Sequence, residues 1–401
     1  MTIQKPKLLF VFGTRPEAIK LCPLIRTLQQ TDRYDTRVCV TAQHRQMLDQ
    51  VLSTFGVVPD YDLDIMAPGQ TLFGSTSRMM GGLEKVFEQE NPSMTVVQGD
   101  TTSTLCGALA SLYAHVPLAH VEAGLRTGDL AQPFPEEANR TLTSRLSALH
   151  FAPTARAAEM LRRELIPTER IHITGNTGID AILYVSNALR EGRLQVSGPI
   201  PLPRNGKLIL ATAHRRENFG EPFAGICRAL AEIARRPDVH IVFPAHPNPN
   251  VRGPIAEHLE GHSGVTILPP LDYVPFVDLL SRAFLVITDS GGIQEECPSL
   301  GKPVIVLREK TERSEAVELG TVRLVGTNPE QIIAEAFRLL DSAEEHRRAS
   351  AVHNPYGDGR ACERIEAALT SYLSAAAETQ EENVPRYYPP VTKAAALAAH
   401  C

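Results

Sequence analysis

Short apolar runs alternate with longer segments of helical periodicity along almost the whole chain. This is the signature of successive βα units on a parallel sheet, whose strands are buried on both faces and so read as continuous apolar stretches. In the first half the runs predict strands over 8–12, 37–41, 95–98, 118–121 and 150–152, with amphipathic segments between them. The segment IHITGNTG, 171–178, leads into a last helix over 179–189. The stretch REGRLQVSGPIPLPRNG, 190–206, gathers proline, glycine and charge, and predicts a linker. The rhythm then restarts with strands over 208–213, 240–244, 265–268, 284–288 and 303–307. The expected fold class is therefore α/β: a first domain over 1–189 and a second over 207–364, both doubly wound, facing one another across a cleft. A strong helical pattern follows residue 358, and its part over 365–378 is expected to cross back to the first domain, by analogy with other two-domain folds. The tail, 379–401, reads as weakly ordered.

Length and charge narrow the function. A chain of 401 residues is long enough for two cores, and a net charge of -6 gives no electrostatic footprint for nucleic acid or an anionic membrane. The seven cysteines are scattered singly with no CxxC pair, which reads as buried thiols in a reducing compartment. The N-terminal apolar run is too short for a signal peptide or a membrane span, so a cytoplasmic protein is expected.

Ligands of open α/β sheets bind beyond the carboxyl ends of the strands, so the informative residues follow each apolar run. In AFLVITDSGGIQEECPSLGKP, 283–303, a strand ending at Asp289 is followed by Ser290, Gly291 and Gly292, which open a helix. Unpaired N–H groups at a helix start attract anions, and a hydroxyl beside two glycines suits a phosphate or diphosphate; the glycines would equally serve a tight turn alone. After the first strand, Arg15 and Lys20 flank Pro16 at a helix start, where cations oppose the helix dipole and so suggest an anionic ligand. Asp100, in GDTTS, reads either as an N-cap or as an acid at the mouth of the sheet. Glu122 directly follows a strand beside small residues, which capping explains less well. Glu136 and Arg140 fall at i and i+4 on one helical face, the spacing of a salt bridge. His214 ends the strand LILATA. There is no GxxxxGK[ST], GxGxxG or GxSxG, and no metal-ligand spacing, so neither a nucleoside triphosphatase, a nicotinamide enzyme nor a serine hydrolase is supported. What remains is acid/base chemistry on a diphosphate-linked substrate.

The motifs FGTRPEAIK, QGDTTS, HVEAGLRT, PFPEEANR, TAHRREN and TDSGGIQEECPSLGKPVIVLREKTERSEAV, in this order over roughly 7–370, resemble those of the non-hydrolysing UDP-N-acetylglucosamine 2-epimerase family. The resemblance implies two Rossmann-like domains of the glycosyltransferase-B type and no metal or nicotinamide cofactor. It implies a reversible interconversion of UDP-N-acetylglucosamine and UDP-N-acetylmannosamine that supplies bacterial surface polysaccharides, by a chain with a tendency to form homodimers. UDP leaves C1 as the C2 proton is removed, giving a 2-acetamidoglucal, and re-adds after protonation of the opposite face. Residue by residue, Asp100, Glu122, Glu136 and His214 match the family's catalytic positions. Arg15, Lys20, Arg140, Ser290, Gly291, Gly292, Glu296 and Arg313 match positions that bind nucleotide, diphosphate or sugar, and Phe276 a contact near uracil. Leu271 stands where some members carry a base-binding glutamine. Some members are activated by their own substrate at a neighbouring site; Gln43, His44, Gln46 and His246 match it, whereas Gly69 stands where regulated members carry arginine. A glycosyltransferase, a hydrolysing epimerase and a non-catalytic nucleotide-sugar sensor are the competing readings; for the hydrolysing relatives, which often add a kinase domain, the chain is too short.

Overall fold

The computed structural model describes residues 5–41, 45–67, 69–196, 206–311, 314–320, 322–351 and 354–381. The chain divides into two units: one runs to Thr177 and resumes at Gly359, and the other is Gly178–Asp358. Both are parallel sheets with alternating helices, the architecture expected from the run of βα units.

The first unit carries β1 (Lys7–Phe12), β2 (Asp35–Val40), β3 (Tyr61–Asp62), β4 (Met94–Gln98), β5 (Leu118–Val121), β6 (Leu149–Ala152) and β7 (Ile171–Ile173), in the sheet order β3-β2-β1-β4-β5-β6-β7. Leu8 to Phe12 are wholly buried. Each such side chain contributes about 1.5–3 kcal/mol relative to exposure, which is why a run this apolar must sit mid-sheet. One face packs Leu9, Val11, Cys39 and Val97 against Met79, Leu83 and Cys106 from the flanking helices. The helix Ala361–Glu381 packs on Arg15–Thr31 within this unit, with Arg364 Nη1 donating to Thr174 O at 3.0 Å and Tyr34 Oη 2.5 Å from Thr370 Oγ1.

The second unit carries β8 (Lys207–Thr212), β9 (Val239–Pro244), β10 (Val265–Leu268), β11 (Leu285–Thr288), β12 (Val304–Val306) and β13 (Val322–Leu324), ordered β10-β9-β8-β11-β12-β13. Its core joins Ile209, Ile241, Phe243, Ile287 and Ile305 to Phe223, Ile226 and Leu230. In each sheet the strand order reverses once, between β1 and β4 and between β8 and β11. At those two points the connections leave in opposite directions, the place where sheets of this kind bind ligands beyond the strands' carboxyl ends. No helix among the described residues is long and apolar enough to cross a membrane.

Candidate active site

The reversal point of the first sheet gathers the loops after β1, β4 and β5. Gly13 ends β1 because nothing larger fits: a Cβ there would meet Thr41 Oγ1 at 2.0 Å and Ser103 Oγ at 2.5 Å. Glu17, wholly buried, accepts from Gly13 N–H (3.0 Å) and Thr14 N–H (2.7 Å) through one oxygen and from Thr101 Oγ1 (2.7 Å) and Thr104 Oγ1 (3.2 Å) through the other. One carboxylate thus clamps the turn that carries Arg15 to the turn that carries Asp100. Burial pushes its pKa up, and the hydrogen bonds from Thr101, Gly13 and Thr14 pull against that. Arg15 is half-buried and, among the described residues, makes no hydrogen bond or ion pair.

Asp100 Oδ2 lies 3.0 Å from Arg140 Nη2, with the Asp100 side chain 31% exposed. Burial pushes this carboxyl up to about 6; the Arg140 guanidinium holds it down, the Glu122 carboxylate pushes it further, and Lys20 and Glu136 exert smaller opposed effects. Glu122 sits at φ 62, a left-handed backbone that costs a side-chain-bearing residue about 1–3 kcal/mol and recurs at functional positions. Its carboxylate is 7% exposed and is held by Lys20 Nζ at 2.5 Å, by Asn176 Nδ2 at 3.3 Å and by Gln98 Nε2. Two residues before it, buried His120 donates from Nε2 to Gly99 O at 2.7 Å; burial drops its pKa to about 3, so a neutral imidazole ties β5 to the Asp100 turn.

The i, i+4 salt bridge between Glu136 and Arg140 does not form. The Arg140 side chain turns to Asp100 and to Glu137 (Nε to Oε2, 3.4 Å), and meets Glu136 only at its backbone oxygen, 3.4 Å away. The Asp100 carboxylate competes from another element for the same guanidinium, and helical spacing cannot register such a rival. Glu137 is committed to structure, accepting from Thr127 N–H at 3.1 Å and Gly128 N–H at 3.0 Å. Glu136 stays half-buried in the first turn of Glu136–Leu146, and among the described residues its carboxylate has no partner.

The reversal point of the second sheet carries His214 after β8 and Asp289 to Gly292 after β11. Ser290 takes an extended N-cap conformation before the short helix Gly291–Glu296, and Gln294 Nε2 donates to Ser290 O at 3.2 Å. Gly292 does not sit in the left-handed region, and a Cβ there would find nothing nearer than Glu296 Oε1 at 3.9 Å. Neither turn geometry nor packing explains a glycine at that position. His214 is exposed and stacks on His246, ring centroids 6.0 Å apart and 19° from parallel. Phe276 is half-buried on Tyr273–Arg282, and Leu271 and Glu296 are half-buried too. Gly69 has open space around it. Gln43, His44 and Arg313 lie outside the described residues, as does the side chain of Gln46.

Sequence reasoning missed Glu17 as a clamp, Gln98 and Asn176 as holders of Glu122, and the bonds of Asp289. Only Glu17 carried a local signal, a carboxylate three residues after Thr14 in the pattern of a capping box.

A protein-family model described as UDP-N-acetylglucosamine 2-epimerase matches residues 26–370. A UDP-N-acetylglucosamine 2-epimerase from Salmonella typhimurium is 53% identical over 371 residues, covering 91% of this chain and 99% of the relative. The crystal structure of UDP-GlcNAc 2-epimerase from Neisseria meningitidis bound to UDP-GlcNAc superposes with a TM-score of 0.83 at 46% identity, covering 91% of this chain and 100% of that one. That of the Methanocaldococcus jannaschii enzyme in complex with UDP-GlcNAc and UDP gives 0.73 at 35% identity, over 91% of this chain and 99% of that one. With nearly the full length of such relatives matched and the fold, of glycosyltransferase-B type, in common, the chain belongs to the UDP-N-acetylglucosamine 2-epimerase family.

Proposed function

We propose that the protein inverts C2 of UDP-N-acetylglucosamine to give UDP-N-acetylmannosamine, by eliminating UDP and adding it back. The hydrogen on C2 is not acidic in the resting sugar. As the C1–O bond breaks, its electron pair leaves on the β-phosphate oxygen and C1 becomes electron-poor. The C2–H bond then gives its electrons to a C1=C2 double bond and its proton to a base. Protonation of the resulting 2-acetamidoglucal from the opposite face, with return of UDP to C1, completes the inversion with no change of oxidation state.

In the first unit Asp100, Glu122 and Glu136 supply the acid/base groups, and Arg15 is the cation available to the departing diphosphate. Arg140 and Lys20 neutralise Asp100 and Glu122 in this structure and stand next to any anion that enters. In the second unit the Ser290-Gly291-Gly292 turn receives the diphosphate, Phe276 lies by the base and His214 completes the acid/base set. Arg313 is included among the nucleotide-binding residues on its sequence match alone. The product feeds surface polysaccharide synthesis, the working form is a cytoplasmic homodimer, and His246 belongs to a neighbouring effector site.

The observation that carries the reading is Asp100: burial and Glu122 lift its carboxyl to about 6 despite Arg140, so near neutral pH it can both hold and release a proton, as a two-way reaction requires. The test is turnover of UDP-N-acetylglucosamine in deuterium oxide, followed by proton NMR. The expected result is deuterium at C2 in both epimers with the nucleotide retained. Release of UDP without exchange at C2 would mean transfer or hydrolysis, and an unchanged spectrum would mean a sensor; either outcome ends the proposal.

A further inference from the structure

Asp289 is wholly buried at the carboxyl end of β11, and its two oxygens have different surroundings. Oδ2 accepts from the backbone N–H of His214 (2.9 Å) and of Arg215 (2.8 Å) and from Asn218 Nδ2 (3.1 Å). Oδ1 is buried with no hydrogen-bond partner among the described residues. A carboxylate oxygen out of water and unpaired is costly and asks for a donor. The His214 ring supplies one: its Nδ1 lies 3.7 Å from Oδ1, about 0.8 Å beyond the usual N–H···O length. The imidazole is 48% exposed and hinges on a turn that the same carboxylate already fixes, so a small ring rotation closes the gap.

We propose that Asp289 is the positioning residue of His214: one oxygen fixes the backbone turn, and the other takes the proton on Nδ1. That bond selects the neutral tautomer with its lone pair on Nε2. It also stabilises the imidazolium formed when Nε2 accepts a proton. The stacked His246 is set the other way, its Nδ1 accepting from Asn248 N–H at 3.2 Å, so two parallel rings carry opposite tautomers. The inference rests on the reading of His214 as a participant in the epimerisation.

The test uses the full chain with 15N-labelled histidine at alkaline pH, where long-range proton–nitrogen correlation separates the two tautomers, and His214→Gln identifies the resonance. Wild type is expected to carry its proton on Nδ1. Asp289→Asn keeps a carbonyl oxygen for the three N–H donors but turns an NH2 toward Nδ1, so the tautomer is expected to invert. At the same time kcat should fall at least about a hundredfold with KM nearly unchanged, and Asp289→Asn/His214→Gln should be no slower than His214→Gln alone. A wild-type proton on Nε2 overturns the pairing without Asp289→Asn having to fold, and so does a tautomer that does not respond to Asp289→Asn. An inverted tautomer with full turnover instead removes His214 from the chemistry and leaves the pairing intact.

Discussion

Replacing Asp100 by Asn should make the protein more stable while making it a worse enzyme. The Asp100 carboxyl is raised from an ordinary 3.8 to about 6, chiefly by burial. Its folded-state pKa lies above the unfolded one, so it does not oppose folding at acid pH, and its penalty grows as pH rises through about 6 and the group ionises. The full penalty is about 3 kcal/mol at 1.36 kcal/mol per unit, and about 2 kcal/mol of it develops between about pH 4.5 and about pH 8. Asn removes that titration while leaving Arg140 its second partner, Glu137. Urea unfolding of wild type and Asp100→Asn at those two pH values gives a double difference that isolates the titration of Asp100, with the Arg140 attraction already counted in its net shift. The variant should gain about 2 kcal/mol on wild type on going from the acid to the alkaline condition. A double difference of zero would mean that Asp100 titrates as an ordinary surface acid. One of opposite sign would mean that Arg140 outweighs burial. Either result would remove the physical basis for Asp100 as a two-way proton carrier.

Other expectations follow from the same geometry. Asp100→Asn and Glu122→Gln should each lower kcat by at least about a hundredfold in a coupled epimerase assay, and near-normal rates in both would refute their assignment. Gly13→Ala and Gly292→Ala should separate folding from binding. The first forces a Cβ to within 2.0 Å of Thr41 Oγ1 and should cost about 1–3 kcal/mol or more in thermal unfolding. The second enters open space and should leave the unfolding temperature alone while raising KM for the nucleotide sugar about tenfold; an unchanged KM would contradict the placing of the diphosphate at that turn.

The central strands were legible because both faces of a parallel sheet are buried, and a run such as Leu8 to Phe12 leaves little else to be. The edges were not. β3, β7 and β13 are two or three residues long, each with an exposed position, so they lack the uninterrupted apolar run that announces a strand. The candidate site was legible as far as it follows strand ends, since a residue that leaves a buried strand at the reversal point of the sheet has few places to go. Its pairings were not legible. Lys20 meets Glu122 across 102 positions and the His214 turn meets Asp289 across 75, distances that only the strand order closes. The Glu136–Arg140 pair failed for the complementary reason: helical spacing sees one helix, and Asp100 lies outside it.

The central claim is that loss of UDP from C1, rather than oxidation of C3, makes the C2 hydrogen removable. UDP-N-acetylglucosamine labelled with 18O in the bond between C1 and the β-phosphate tests it most directly, with the label's position read by phosphorus NMR of recovered substrate. If the C1–O bond breaks and re-forms, the label moves from the bridging to the non-bridging oxygens of the β-phosphate at a rate comparable to deuterium entry at C2. Deuterium entering C2 while every label stays in the bridge would contradict the account.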